Sequence, residues 1–289
     1  VKIVNGKKIN VFSIEYFEKN KSADMVFLIT TSFFNEIIEQ LDSYNDLKNH
    51  ECYIYKLMEK LEEKYIESDC EIVSTDSFVI PKVIHYCWFG GKPLNKLGKK
   101  CLKSWKKHFP DYEIIEWNES NFDFNCCQYV KEAYEAKKWA FVSDYARYKI
   151  LYEQGGIYFD TDVEVIKGFE DILDQGSFMG RENTDYKKTI AINPGLGCAL
   201  EPGLDFCREI LEDYEKSSFY NEDGSPNLYT IVERTTELLK KYGLKEKTDE
   251  IQQVAGINIF PVEYFAPIDM RNGKITITEK TCSIHRYAA

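Results

Sequence analysis

The 289-residue sequence contains no Cys-x-x-Cys pair, which argues against a zinc site built on such pairs. Its nine cysteines are odd in number and scattered, apart from the adjacent Cys126 and Cys127. A small secreted domain held by disulfides normally pairs its cysteines. We therefore expect reduced and mostly buried thiols, as in a reducing cytosol.

Long apolar runs are missing as well. No stretch approaches the roughly 20 residues that a helix needs to cross a bilayer, and no signal peptide is recognisable. The sequence begins with Val1 rather than Met, so the presence of a segment before Val1 is left open. These features predict a cytoplasmic protein. A position at the inner face of the membrane, peripheral membrane association, and an upstream domain or biosynthetic partner proteins are left open.

An excess of positive charge is also lacking, because 37 Lys and Arg residues stand against 48 Asp and Glu residues, for a formal net charge of -11. Proteins that bind the phosphate backbone of nucleic acids normally carry a basic patch. We therefore expect no nucleic-acid partner. An acidic enzyme that binds an anionic nucleotide must neutralise the phosphates locally, and a divalent cation is the usual means.

Two regions are distinguishable along the chain. Residues 1–76 predict a small α/β N-terminal segment, which we interpret as the remnant of a larger upstream domain or as a docking element. The polar stretch at its end is typical of a linker. The elements expected before it are a hairpin at Asn5-Gly6, strands at Met25–Ile29 and Cys52–Tyr55, and helices at Phe33–Leu41 and Leu57–Tyr65.

Residues 77–289 alternate predicted strands with predicted helices. This alternation implies an α/β fold with a mostly parallel sheet that is covered by helices on both faces. In such sheets, ligands bind beyond the carboxyl ends of the strands. The predicted strands are Ile80–Trp88, Tyr112–Trp117 and Ile157–Phe159, and the predicted helices are Leu102–His108, Val130–Lys138 and Ala140–Gln154.

The triplet Asp160-Thr161-Asp162 directly follows the third predicted strand. On an extended segment, side chains two residues apart point the same way, so both carboxylates face one point. Two such carboxylates repel each other unless a positive charge lies close by. Mn²⁺ or Mg²⁺, bound by carboxylate and phosphate oxygens, would supply that charge. A solvated loop or a helix N-cap is the structural alternative for the same three residues.

The helix before the triplet carries Asp144 and Arg147, which share one helix face because they are three residues apart. They form either a surface ion pair or a pair that holds the sugar and diphosphate of a nucleotide sugar. Trp88, at the end of the first strand, either stacks on a nucleobase or fills the core. Gly90 follows in a turn that would keep side chains away from a bound nucleotide.

Downstream features are less specific. The segment from Asn193 to Gly197 contains two glycines but no Gly-Lys-Ser/Thr, so it is not a phosphate loop. Asn193 and Gly195 are candidates for the acceptor side of a cleft, and a plain connection is the alternative. His285 lies close to the C-terminus, where a lone histidine is more often structural than a ligand. His85 lies within an apolar strand and is expected in the core.

Two of these segments resemble the DXD-containing sugar transferases. One runs from Ile80 to Gly91 (IPKVIHYCWFGG), and the other joins Ser143-Asp144-Tyr145-Ala146-Arg147 to Gly155-Gly156-Ile157-Tyr158-Phe159-Asp160-Thr161-Asp162. That group includes yeast Och1-type mannosyltransferases, capsular polysaccharide sugar transferases and the catalytic domain of large clostridial glucosylating toxins. The resemblance covers residues 80–289 and leaves the N-terminal region unexplained.

The resemblance implies a GT-A-type fold, a UDP- or GDP-hexose donor, Mn²⁺ or Mg²⁺, and retention of the anomeric configuration. It implies that Trp88 stacks on the base and that Gly90 lies beside the nucleotide. It also places Asp144 and Arg147 on the donor sugar and Tyr158 beside the nucleotide. Asp160, Asp162 and Arg147 would form the catalytic set, with Asp162 as the main metal ligand, Asp160 on the metal, ribose or sugar, and His285 as a further metal ligand.

The sequence departs from the group in two places. The usual C-terminal motif continues into a Trp, whereas this sequence ends at Ala288-Ala289. The toxins carry long helical insertions between the motifs, for which this chain lacks room. A saccharide or lipid-linked glycan is therefore expected as the acceptor, rather than a protein.

The leading hypothesis is a hexosyltransferase of bacterial type that acts in capsular or other cell-surface polysaccharide biosynthesis. A nucleotidyltransferase is the enzymatic alternative, although it would normally need further acidic ligands for a second metal ion. A catalytically inactive partner subunit that binds nucleotide sugars is the alternative from another class. The intact set of Asp144, Arg147, Asp160 and Asp162 argues against that alternative.

Overall fold

The computed structural model describes residues 80–183, 189–246 and 250–288, together with the backbone of four short strands nearer the N-terminus. The chain divides into two compact units, Val1–Thr75 and Asp76–Ala289. Within the described residues, no helix is both long enough and apolar enough to span a bilayer.

The first unit contributes two small strand pairs. Strands β1 (Lys2–Val4) and β2 (Lys7–Ile9) pair in antiparallel fashion on either side of the predicted Asn5-Gly6 turn. Strands β3 (Phe27–Ile29) and β4 (Cys52–Ile54) pair in parallel, as a strand–helix–strand unit requires. The predicted strands are therefore confirmed in shorter form. The turn residues themselves and the helices predicted at 33–41 and 57–65 lie outside the described residues.

The second unit alternates strands with helices over its first half and ends in short strands. All six elements predicted for this part are present, with boundaries that shift by a few residues. The strands are β5 (Val83–Cys87), β6 (Glu113–Trp117), β7 (Gly156–Tyr158), β8 (Val163–Val165), β9 (Phe178–Arg181), β10 (Ile192–Asn193), β11 (Cys198–Leu200), β12 (Gln252–Val254), β13 (Ile257–Phe260) and β14 (Ser283–His285). The helices are α1 (Lys96–His108), α2 (Gln128–Glu135), α3 (Trp139–Gln154), α4 (Glu170–Leu173), α5 (Asp205–Glu215), α6 (Ile231–Lys241) and α7 (Val262–Phe265).

The central sheet has eight strands, seven of them in the order β12-β13-β9-β11-β7-β5-β6, and β10 pairs with β9 at its side. Strands β5, β6 and β7 are parallel to one another, and β13 is parallel to β9, whereas the other pairings are antiparallel. The predicted α/β class is confirmed. Because β5, β6 and β7 are parallel, their carboxyl ends lie on one edge of the sheet. At this edge Trp88 directly follows β5, and Asp160 follows β7 after one intervening residue.

Helix α3 is the central helix of the unit. It packs against α2, α5 and β5, and its low amphipathicity reflects burial on most of its surface. It ends at Gly155, whose φ of 64° lies in the left-handed region and whose added Cβ would meet Pro202 Cδ at 2.7 Å. Glycine at this position therefore allows the tight turn from α3 into β7.

Helix α1 holds both ends of the acidic triplet from the other face of the sheet. The Trp105 side chain is 1% exposed, and its Nε1–H donates to the Val163 carbonyl oxygen at 2.8 Å. Its ring lies 5.2 Å from the Phe159 ring, measured between centroids. Since Phe159 precedes the triplet and Val163 follows it, this one side chain fixes the backbone on both sides of Asp160-Thr161-Asp162.

His85 lies in the core, as predicted, and its hydrogen bonds define its tautomer. Nδ1 lies 3.1 Å from Trp117 Nε1, which can only donate, and Nε2 lies 3.0 Å from the Gly155 carbonyl oxygen, which can only accept. The ring is therefore neutral with its proton on Nε2. Burial lowers the pKa of His85 to about 4, against the smaller raising effect of the Gly155 carbonyl.

This geometry predicts a specific acid sensitivity. The folded state binds this proton less readily than the unfolded chain, so stability is lost as the pH falls from about 6.5 towards 4. The contribution of His85 to the free energy of unfolding falls by about 3 kcal/mol between pH 7 and pH 4. Urea denaturation at several pH values should show a shallower decline in His85→Asn, which cannot titrate. Identical pH profiles for both proteins would contradict the lowered pKa of His85 in the folded state.

Candidate active site

A cavity of about 570 Å³ opens at the carboxyl edge of β5 and β7. One wall comes from the segment after β5, with Trp88 and Gly90, and a second comes from the start of α3. The floor contains Tyr158 and the acidic triplet. The cavity thus brings together the two segments that lie far apart in sequence and that were both expected at strand ends.

Arg147 joins the α3 wall to the acidic triplet. Its Nη2 lies 3.0 Å from Asp144 Oδ1 and 3.1 Å from Asp160 Oδ1. The guanidinium is centred 4.8 Å from the middle of the Tyr158 ring, and the residue is only 4% exposed. A buried guanidinium that bridges two carboxylates stays charged, and it offsets part of their mutual repulsion.

His285 reaches the triplet through a second, small sheet. Strand β14 pairs with β8 in antiparallel fashion, with His285 opposite Val163. His285 Nε2 therefore lies 3.2 Å from Asp162 Oδ1 and 4.0 Å from Asp160 Oδ2. One ligand atom from each of these three side chains lies within 4.8 Å of the other two. Among the described residues, these three form a candidate metal site.

The C-terminal segment also contacts Asp162 directly. The backbone N–H of Ala288 donates to Asp162 Oδ2 at 2.7 Å, and the N–H of Arg286 donates to the Asp162 carbonyl oxygen at 3.0 Å. These bonds orient the carboxylate, so that its Oδ1 faces His285. The last residues of the described chain therefore help to build the site, and Ala288 also lines the cavity.

The three candidate ligands have different proton affinities. Burial raises the pKa of Asp160, although Arg147 and His285 act against this. Burial would also raise the pKa of Asp162, but the hydrogen bond and charge of His285 outweigh it and leave that pKa lowered. Burial would lower the pKa of His285, but its contact with Asp162 outweighs burial and raises it. Asp162 is therefore an ionised carboxylate that stabilises positive charge at its position.

Asp144 is the most acid-sensitive group on the α3 wall. Burial raises its pKa to about 6, while Arg147 acts in the opposite direction. The backbone N–H of Ile231, at the start of α6, also interacts with the Asp144 carboxylate and lowers its pKa. The side chain is therefore anchored from two elements and presents a carboxylate to the cavity near neutral pH.

Gly195 lies directly against the acidic triplet. A Cβ added here would meet Asp160 Oδ2 at 2.0 Å, and Arg147 Nη1 and Asn193 Oδ1 at 3.0 Å each. The Asn193 side chain accepts a hydrogen bond from Gly195 N at 2.7 Å and holds this close approach. Neither residue lines the cavity, so they lie behind the carboxylates. Their role on the acceptor side stays a prediction.

Trp88 and Gly90 lie at the mouth of the cavity. Trp88 Nε1 donates to the Lys92 carbonyl oxygen at 2.5 Å, which fixes the orientation of the indole. Gly90 N donates to Glu119 Oε1 at 2.6 Å. Both residues line the cavity, and Trp139 and Phe141 add aromatic surface to it.

Several cavity residues were not predicted from the sequence. Trp139, Phe141 and Ser143 lie on the first turns of α3, and Lys92, Lys137 and Lys138 come from loops. Their positions depend on how α3 is oriented against β5, and no local pattern specifies that. The lysines place positive charge beside the cavity of a protein that is acidic as a whole.

Comparison with known proteins agrees with this geometry. Residues 96–179 match the family model of the glycosyltransferase sugar-binding region containing the DXD motif. A glycosyltransferase of Acanthamoeba polyphaga mimivirus, named L373 and described as uncharacterized, is 34% identical over an alignment of 206 residues. The match covers 68% of this chain and 76% of that protein. This chain belongs to the DXD-containing glycosyltransferases. It is therefore an enzyme of the glycosyltransferase class, as the resemblance implied.

Other similarities cover smaller parts of the proteins or are more distant. Inositol phosphoceramide mannosyltransferase 3 of Schizosaccharomyces pombe is 30% identical over an alignment of 122 residues. The match covers 38% of this glycosyltransferase and 32% of the yeast protein. The chain thus matches only about a third of that relative. The match to the solved structure of the PaToxG glycosyltransferase covers 56% of this chain and 69% of the PaToxG chain. The identity is 21% and the TM-score is 0.43. The match to the galactosyltransferase LgtC, solved with donor and acceptor sugar analogs, covers 70% of this chain and 86% of the LgtC chain. The identity is 13% and the TM-score is 0.37.

Gly195→Ala tests whether the close packing behind Asp160 matters for this glycosyltransferase. The new methyl group must displace the Asp160 carboxylate, and a misplacement of about 1 Å in a reacting site costs on the order of 100-fold in rate. We expect hydrolysis of a nucleotide-sugar donor to fall by about that factor, while the circular dichroism spectrum stays native.

The matched control is Gly180→Ala, whose Cβ would meet apolar carbons, Phe265 Cδ2 at 2.6 Å and Leu196 Cδ1 at 3.4 Å, rather than a carboxylate. This variant should lose thermal stability and keep its specific activity. Equal losses of activity in both variants would mean that general packing, and not the position of Asp160, is responsible.

Proposed function

We propose that this glycosyltransferase moves a hexose from a UDP- or GDP-sugar to a saccharide acceptor, in a reaction that depends on Mn²⁺ or Mg²⁺ and retains the anomeric configuration. The observation that carries the proposal is the convergence of Asp160, Asp162 and His285 beside a cavity whose other wall holds Arg147. Two carboxylates at the edge of a nucleotide-sized cavity are suited to a cation, and a cation is suited to a diphosphate.

The donor atoms of the three side chains fit a divalent cation. Two ligand atoms that are each about 2.1 Å from one ion lie about 3.0 Å apart when adjacent and about 4.2 Å apart when opposite. The separations of 3.2 and 4.0 Å from His285 Nε2 fall in this range. Carboxylate oxygens suit both Mn²⁺ and Mg²⁺, and the imidazole of His285 favours Mn²⁺ over Mg²⁺. Binding through His285 Nε2 would require the neutral ring, so a proton would be released.

A bound cation would neutralise negative charge on the diphosphate that leaves with the nucleotide. Asp162 and His285 would hold it, with Asp160 on its second side. Arg147 would add a fixed positive charge close to the sugar and the diphosphate.

The donor sugar would lie between Asp144 and Arg147. An ionised Asp144 accepts hydrogen bonds from sugar hydroxyls, and Arg147 donates them. In the transfer, the bond from sugar C1 to the diphosphate oxygen breaks, and C1 bonds to an acceptor hydroxyl oxygen whose proton passes to the leaving diphosphate. The protein would bind and orient both partners, and no protein nucleophile is required.

The nucleobase would stack on Trp88, whose indole is held by its bond to the Lys92 carbonyl. Stacking on an aromatic ring contributes about 1–3 kcal/mol per base and tolerates different bases. Either uracil or guanine therefore suits this wall. Tyr158 and Gly90 would contact the nucleotide from the floor and the mouth of the cavity.

The wider setting is part of the same proposal. We expect a cytoplasmic enzyme that acts in the biosynthesis of a capsule or another cell-surface polysaccharide, with a saccharide or lipid-linked glycan as acceptor. Residues 1–76 would be a remnant of an upstream domain. A nucleotidyltransferase would need a second acidic metal site, and residues 80–183, 189–246 and 250–288 contain no second cluster of potential ligands.

Asp162→Asn tests the proposed function. The amide keeps the size of the side chain but removes the charge, so we expect loss of cation binding by calorimetry and at least about a 100-fold loss of Mn²⁺-dependent donor hydrolysis. The assay follows release of UDP or GDP from a panel of nucleotide sugars. Nucleoside triphosphates are tested in parallel for release of pyrophosphate.

Asp205→Asn is the control, because Asp205 carries an exposed carboxylate on α5, with its side chain 73% exposed. It should behave as the wild type does. Release of pyrophosphate without release of UDP or GDP would favour a nucleotidyltransferase. Binding of a nucleotide sugar without any turnover would favour an inactive partner subunit, and full activity in Asp162→Asn would refute the metal assignment.

A further inference from the structure

A hairpin beside the cavity exposes apolar side chains that the donor site does not use. Tyr220 is 40% exposed, Leu228 63% and Tyr229 39%, all within the segment 219–230 between α5 and α6. Single exposed apolar residues are ordinary on protein surfaces. These three lie within ten residues on one hairpin, and a group of exposed apolar side chains on one element is a candidate binding surface. We call Tyr220, Leu228 and Tyr229 the apolar platform.

The platform is held rigidly. The hairpin closes through a pairing of Tyr220 with Pro226 and a bond from Asn227 N to the Phe219 carbonyl oxygen at 2.7 Å. Its base is fixed to α2, because Glu132 Oε2 accepts from Ser218 Oγ at 2.6 Å and from Phe219 N at 2.9 Å. A surface that is ordered before binding loses less conformational entropy when a ligand binds.

Two contacts place the platform at the rim of the donor cavity. The Phe219 ring lies 5.4 Å from the ring of Phe141, which lines the cavity. At the other end of the hairpin, Tyr229 is two residues before Ile231, whose backbone N–H interacts with Asp144. The platform therefore flanks the wall that is proposed to hold the donor sugar, one layer outside it.

The chemistry of the hairpin specifies the ligand class. Aromatic and aliphatic surface suits the C–H faces of sugar rings, and Asn221 and Asn227 supply polar groups nearby. Residues 217–233 contain no Lys or Arg, whereas Glu222 and Asp223 place two exposed carboxylates at the tip. Arg234, whose guanidinium is centred 4.8 Å from the middle of the Tyr229 ring, is only 4% exposed and its charge is paired with Asp213. An anionic sugar would be repelled there, and a neutral one would not.

We propose that the apolar platform is the acceptor subsite of this glycosyltransferase and that it binds neutral saccharides in preference to uronate-bearing or phosphate-bearing ones. The proposal rests on the proposed function, because it assigns the second substrate of the same reaction. It differs from the acceptor role predicted for Asn193 and Gly195, which lie behind the carboxylates and away from the hairpin.

The test compares transfer with donor hydrolysis in the whole protein. The acceptor probes are p-nitrophenyl β-glucoside and p-nitrophenyl β-glucuronide, which differ only in the oxidation state at C6, together with the corresponding galactoside and mannoside. In the double variant Tyr220→Ala/Leu228→Ala, we expect transfer to the neutral probes to fall at least about tenfold through a higher acceptor KM. Donor hydrolysis without acceptor should stay within about twofold of the wild type.

Two control variants distinguish this patch from other exposed apolar surface. Tyr242→Ala alters a side chain that is 47% exposed at the far end of α6, and Ile277→Ala alters one that is 52% exposed in the segment between α7 and β14. Both should leave the ratio of transfer to hydrolysis unchanged. A larger effect of Ile277→Ala than of the double variant would place the acceptor elsewhere and overturn the proposal.

The remaining outcomes also decide the matter. Three results would each overturn the acceptor proposal alone. The double variant could show an unchanged ratio of transfer to hydrolysis, or the glucuronide could be used as well as the glucoside. A wild type that hydrolyses donor could also transfer to none of the neutral probes. Absence of donor hydrolysis by the wild type would instead overturn the proposed function, and the acceptor proposal with it.

Discussion

The site depends on two carboxylates held close together against their mutual repulsion. Asp160 and Asp162 lie together in the turn that joins β7 to β8, which the bond from Val163 N to the Asp160 carbonyl oxygen closes at 3.0 Å, and not on extended backbone as the sequence predicted. Arg147 supplies compensating positive charge from α3, and His285 on β14, whose pKa is raised by its contact with Asp162, adds to it when its ring is protonated. Charges buried in this way are costly to separate, so the four side chains form one electrostatic unit. A cation that joins the unit would take over the role of compensating the two carboxylates, with His285 binding it as the neutral ring.

The rest of the unit positions these four groups. The parallel strands β5 and β7 bring Trp88 and Asp160 to one edge, and Trp105 fixes the backbone on both sides of the triplet. His85, bonded to the Gly155 carbonyl, holds the turn that leads from α3 into β7. Burial of α3 on most sides leaves Arg147 little freedom to move. Packing and site geometry are therefore linked through the same helix.

Much of this arrangement follows from local sequence pattern. Strand–helix alternation and the position of the triplet predict an α/β sheet with ligands at its carboxyl edge, because both signals act over a few residues. The pairing of β14 with β8 does not follow, since three residues such as Ser283–His285 carry no periodicity. The fit of Gly195 against Asp160 and the contact of Ile231 with Asp144 likewise depend on long-range packing. For His285, only the family resemblance indicated a ligand.

The central claim is that one divalent cation binds between Asp160, Asp162 and His285. The most direct measurement is anomalous X-ray scattering at the manganese edge from crystals soaked with Mn²⁺ and UDP. The account predicts a single strong peak about 2.0–2.4 Å from a carboxylate oxygen of Asp162 and from His285 Nε2, with a diphosphate oxygen in the same coordination sphere. A peak elsewhere in the cavity, or UDP bound with no peak beside these residues, would contradict the account.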